Sequence, residues 1–144
     1  MAKPEPWRLE ARYYPVSIDI PPRYQDLDTL GHINNVALAG IFENARVHFN
    51  HSLGHHPADL GVRWLVAAVD LKFVAEAHFP HPLTVYSAVG SIGNSSWTII
   101  QAAFQNGECV ATCDTVIVMH GPRGKTTIGP ELRAIMQNKM PLKD

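Results

Sequence analysis

The chain has 144 residues and a net charge of -1, enough length for a single domain (1–144) with one sizeable core. Balanced charge offers no basic stripe, so no nucleic-acid partner is expected. Uninterrupted apolar runs fall far short of the roughly 18 residues of a membrane span. The opening Met1-Ala2-Lys3-Pro4-Glu5-Pro6-Trp7 lacks the apolar stretch of a secretory signal.

Residues 1–13 are Pro-rich and polar and are expected to fray. Val16-Ser17-Ile18-Asp19-Ile20 alternates as a strand does. Pro21-Pro22 confines that strand to an edge or a bulge. From Asn34 to Leu53 the apolar residues Leu38, Phe42, Ala45 and Phe49 recur at helical spacing, with Ala39, Ile41 and Val47 widening the stripe. So broad an apolar surface predicts a helix wrapped by other structure. Asn34 is the expected N-cap and Gly54 the expected stop, with Pro57 beyond.

Strands are expected over Trp64–Phe79, Leu83–Ile92, Trp97–Phe104 and Glu108–Met119. Asn106-Gly107 is a two-residue hairpin signal, because both turn positions take positive φ. Gly121-Pro122-Arg123-Gly124 reads as a loop, and a short helix should start near Pro130. One long helix against an antiparallel sheet is an α+β plan, and the exposed sheet edges favour dimerisation through an edge strand. Cys109 and Cys113 stand about 13 Å apart along a strand, too far to bridge. Free thiols in such a chain fit the cytoplasm.

The chemistry concentrates in Arg23-Tyr24-Gln25-Asp26-Leu27-Asp28-Thr29-Leu30-Gly31-His32-Ile33-Asn34-Asn35. This stretch puts two carboxylates, an imidazole and a flexible Gly directly before a helix. The first turn of a helix leaves backbone N–H groups without partners. A carboxylate beside such donors suits acyl transfer: one group attacks or deprotonates, the other holds the developing oxyanion.

These residues resemble the pattern Arg-Tyr-x-Asp-x-Asp-x-x-Gly-His-Val-Asn-Asn of the hotdog-fold acyl-CoA thioesterases, the 4-hydroxybenzoyl-CoA thioesterase-like family. Ile33 replaces Val, and Glu43 and Arg46 follow on the helix as the pattern requires. The resemblance covers roughly Val16 to Met136. It implies a hotdog fold, an antiparallel sheet of about five strands wrapped around one long central helix. It implies hydrolysis of an acyl thioester of coenzyme A or acyl carrier protein, without metal or cofactor. Asp28 is then the nucleophile or general base, and the backbone N–H near Asn35 the oxyanion donor. The resemblance also implies a homodimer, or a dimer of dimers, with active sites at the dimer interface. Many members carry an aromatic where this chain has Leu38, which makes that part of the pocket more apolar here.

Each candidate also has a plain structural reading. Asp28 could simply close a turn, and Asp26 could support the loop through Arg23. His32 either orients substrate or holds the loop. Gly31 and Asn34 belong to the substrate-binding turn or merely shape it. Glu43 is the rival acid or base, or else a surface partner of Arg46. Arg63, Arg123 and Lys125 are candidate contacts for coenzyme A phosphates. Trp97, Phe73 and Phe104 read as core or interface. His48, His51, His55 and His56 form a His-rich helix end, but no Cys or carboxylate completes a familiar zinc pattern there, so no metal is expected. Two other readings stay open: a non-catalytic acyl-CoA-binding module, and an enoyl thioester hydratase using Asp28 and His32.

Overall fold

The computed structural model describes residues 3–55 and 61–143. Five long strands form one antiparallel sheet: β1 (Val16–Ile20), β2 (Arg63–Phe73), β3 (Leu83–Ile92), β4 (Ser96–Gln105) and β5 (Glu108–Gly121). Their spatial order is β1-β3-β4-β5-β2, and a two-residue strand β6 (Gly124–Lys125) pairs with β5. Helix α1 (Asn35–Ser52) lies across one face, and a short helix α2 (Pro130–Gln137) follows β6. A curled antiparallel sheet around one long helix is the hotdog arrangement that the motif implies. None of the helices among the described residues is long and apolar enough to cross a membrane.

The local signals explain most elements. Asn34 caps α1, its Oδ1 accepting from the Ala37 N–H at 2.7 Å. Asn106 and Gly107 take φ of 52° and 79° and turn β4 into β5. Leu38, Phe42, Ala45 and Phe49 are all buried against the sheet, each large side chain contributing about 1.5–3 kcal/mol. β1 pairs only with β3 and so lies at an edge.

Five expectations change. Residues 3–13 do not fray. Pro6–Leu9 and Ala11–Tyr13 form 3-10 turns that pack on the sheet face away from α1, with Trp7, Leu9 and Tyr14 against Ala88, Ile100, Ala102 and Phe104. β2 ends at Phe73, not Phe79. The Val110 carbonyl takes both the Val74 and Ala75 N–H groups, and the chain then leaves the ladder. The 121–124 loop is a tight hairpin that opens β6. The curled sheet covers α1 on one side only, so Val47, expected to widen the buried stripe, is exposed along with Val36. Arg46 is no surface residue. It lies on the Phe42–Phe49 side of the helix, buried, with Nη1 donating to Thr115 Oγ1 at 3.1 Å, and Glu43 stays 3.9 Å away.

Both cysteines are free and buried. A bulge in β5 between the Ala103↔Ala111 and Phe104↔Cys109 pairs puts them on opposite faces of the sheet. Burial pushes the Cys109 thiol up to about 11 and raises Cys113 as well, which keeps both thiols protonated and unreactive near neutral pH.

Candidate active site

The motif folds into a closed loop at the start of α1. Leu27 bridges Ile33, the Asp28 N–H donates to the His32 carbonyl at 2.8 Å, and the Asn34 N–H donates to the Asp26 carbonyl at 2.9 Å. Gly31 takes φ of 81° at the turn, a conformation that disfavours a side chain. Asp26 is buried beneath this loop. Its carboxylate accepts from the Arg23 backbone N–H at 2.8 Å and from the guanidinium at 3.0 Å. Burial opposes its charge, but these hydrogen bonds and the Arg23 charge outweigh that and hold its pKa below the usual carboxylate value.

Asp28 stands at the loop surface. Its Oδ1 accepts from the Leu30 N–H at 2.8 Å and the His32 N–H at 3.0 Å. One oxygen thus anchors the group in the turn, and no donor among the described residues is assigned to Oδ2. At the helix start, Ala37 and Leu38 give their N–H groups to the side chain and carbonyl of Asn34. The Asn35 and Val36 N–H groups have no assigned acceptor among the described residues, as expected of a helix's first turn.

Asp28, His32, Asn35 and Leu38 line one crevice of about 300 Å³ together with Phe73, Val74, Ala75, Glu76 and Ala77. Leu38 makes that wall apolar. Gly31 and Asn34 shape the loop and the helix cap without lining the crevice. A larger groove of about 640 Å³ lies on the other flank of the helix start and shares Asn35. It contains Asp26 but not Asp28, so the smaller crevice is the one that joins Asp28 to Asn35 at the helix start.

Other candidates lie elsewhere. Glu43 is exposed beyond the first turns of α1 and does not line the crevice. Arg63 pairs with His120, which in turn pairs with Lys125, and Arg123 lies in the adjoining hairpin. These three cations gather at one end of the sheet. Phe73, at the other end of β2, is about 30 Å away by strand rise. His48 and His51 are exposed on α1, His55 stacks on Trp64 with ring centroids 4.4 Å apart, and His56 lies outside the described residues. Sequence reading missed Glu76 and the rest of the 73–77 wall. It also missed Gln105, whose buried amide accepts from the His78 N–H and donates to the His78 and His81 carbonyls. No local spacing marks these residues, because they reach the motif only through the sheet.

No curated protein matches the chain. Among solved structures, a protein of Pseudomonas aeruginosa strain PAO1 is 26% identical with a TM-score of 0.82, covering 93% of this chain and 97% of its own. A predicted thioesterase of Bacillus stearothermophilus is 25% identical with a TM-score of 0.77, covering 86% and 95%. A Thermus thermophilus thioesterase complexed with coenzyme A and Zn shares the fold at 22% identity and a TM-score of 0.76, covering 87% and 93%. The thioesterase-like superfamily matches residues 22–135, which include the motif, α1 and the five long strands save β1, and the chain belongs to that family.

Proposed function

We propose that this chain hydrolyses an acyl thioester of coenzyme A or acyl carrier protein to the free acid and thiol. The observation that carries the reading is the meeting of Asp28 and Asn35, whose N–H opens the helix, at one crevice. The thioester carbonyl oxygen would point at the helix amides. Asp28 then acts in one of two ways. As nucleophile it bonds to the acyl carbon, the thiolate departs, and water opens the resulting anhydride. As general base it takes a proton from water, whose oxygen attacks the same carbon. Either route consumes one water and releases one acid and one thiol. The amides stabilise the oxyanion in both, an effect of about 10²–10³ in rate for one donor.

The distant cations gain a role in a homodimer. β2 is an open edge with Leu65, Val66, Val69 and Phe73 exposed. A two-fold pairing of edge strands runs them antiparallel. That sets the Arg63, Arg123 and Lys125 end of one chain beside the Asp28 end of the other, where a phosphate-bearing thiol carrier would lie.

The test is thiol release from a panel of short, long, branched and aromatic acyl-CoAs and acyl carrier proteins, wild type beside Asp28→Asn. The variant should fold normally and lose about 10²–10⁴-fold in turnover. Full activity in Asp28→Asn overturns the assignment. Tight acyl-CoA binding without thiol release by the wild type would instead establish a binding module.

A further inference from the structure

A second constellation stands at the rim of the crevice, built from His32 of the motif loop and Glu76 and His78 of the segment after β2. His32 Nε2 is 3.3 Å from Glu76 Oε2, and His78 Nε2 is 3.9 Å from the same oxygen. One ligand-capable atom from each residue lies within 4.8 Å of the other two. Ligand atoms on a tetrahedron with bonds of ~2.0–2.1 Å are about 3.3–3.4 Å apart. The first pair already stands at that spacing. The second closes with a small side-chain rotation, which exposed Glu76 and His78 are free to make.

The backbone beneath is held firmly. His32 and His78 face each other across an isolated β-bridge, with ring centroids 5.1 Å apart and planes at 84°. The Ile33 N–H donates to the Ala77 carbonyl at 2.8 Å. Gln105 clamps the His78 peptide on both sides at 2.8 and 2.7 Å. Two residues remote in sequence are thus fixed against the motif by backbone and by a buried amide, which is the support a ligand set requires.

We propose that His32, Glu76 and His78 bind one divalent cation of the zinc class. Two imidazoles and one carboxylate are a donor set of three-ligand zinc centres that leave a fourth position open. Imidazole donors select Zn²⁺, Co²⁺ or Ni²⁺ over the hard cations Mg²⁺ and Ca²⁺. The site stands on ligand geometry alone and does not depend on the thioesterase reading. It departs from the expectation of no metal because the motif holds only one of the three ligands.

The experiment is equilibrium dialysis of the full, tag-free chain against Zn²⁺, with Co²⁺ absorption spectra reporting coordination. One ion per chain and the intense visible bands of tetrahedral Co²⁺ are expected. Glu76→Gln and His78→Ala should each weaken binding by more than about tenfold, at least what loss of an outer-shell partner costs, with melting temperatures unchanged. His51→Gln, at the His-rich helix end, should bind as wild type does. Zn²⁺ binding that survives both rim substitutions, that is lost in His51→Gln, or that is absent at micromolar ion overturns the site.

Discussion

Asn34 joins the two halves of the crevice. Its side chain fills the Ala37 N–H, its carbonyl takes Leu38, and its own N–H reaches the Asp26 carbonyl. The helix amides left open are therefore those of Asn35 and Val36, and Asn35 shares the crevice with Asp28. Such capping is local chemistry, so the sequence shows it plainly. Asp26 is similar: its Arg23 partner lies three residues away. Because the folded pKa of Asp26 lies below its ordinary value of ~3.9, its ionised form stabilises the fold above that value. The contribution is lost as pH falls through the folded pKa. Asp26→Asn should cost about 1–3 kcal/mol at neutral pH, the scale of hydrogen bonds to a charged group. Urea titrations should show wild type and variant converging well below pH ~4. A gap of equal size at both pH values would mean that Arg23 does not favour the ionised carboxylate.

At the scale of elements, the amino-terminal segment differs most from its sequence. It has no apolar periodicity, and its prolines and charges read as a tail. Its order comes from the sheet. Arg8 is buried, with Nε donating to Tyr14 Oη at 2.8 Å and Nη2 to Asp114 Oδ1 at 2.6 Å and the Gln101 carbonyl at 3.2 Å. Tyr14 donates back to the Arg8 carbonyl at 2.8 Å. The other end of the chain closes over it, with the Leu142 N–H on the Tyr13 carbonyl and Lys143 over the Trp7 ring. Such long-range pairs leave no trace in local pattern, and the same holds for Glu76 and His78. The helix and hairpin were legible because caps, turn residues and period act within a few positions. Arg8→Ala takes one donor from the Tyr14 hydroxyl, removes the ion-pair partner of Asp114 and loosens the cover of Ala88, Ile100 and Ala102. It should lower stability by about 1–3 kcal/mol and expose apolar surface, read as a lower urea midpoint and increased dye binding. A midpoint equal to wild type would show that the segment is not held by this residue.

At the scale of the whole molecule, carboxylate and cations lie at opposite ends of β2, and a two-fold pairing would bring them together across chains. Mixing two damaged chains tests this directly. Asp28→Asn lacks the carboxylate. Arg63→Glu with Lys125→Glu reverses charge at the basic end and should raise KM for acyl-CoA sharply. Refolded together in equal amounts, half of the dimers are mixed. In each mixed dimer one site carries both defects and the other carries neither. About a quarter of all sites are then intact, so roughly a quarter of wild-type activity returns at low substrate. If each chain's cations served its own Asp28, every site would keep one defect and mixing would restore nothing. The same mixture, read by light scattering, must also be dimeric. A monomeric protein with full thioesterase activity would remove the crosswise site while leaving the proposal for Asp28 and the Asn35 amide standing.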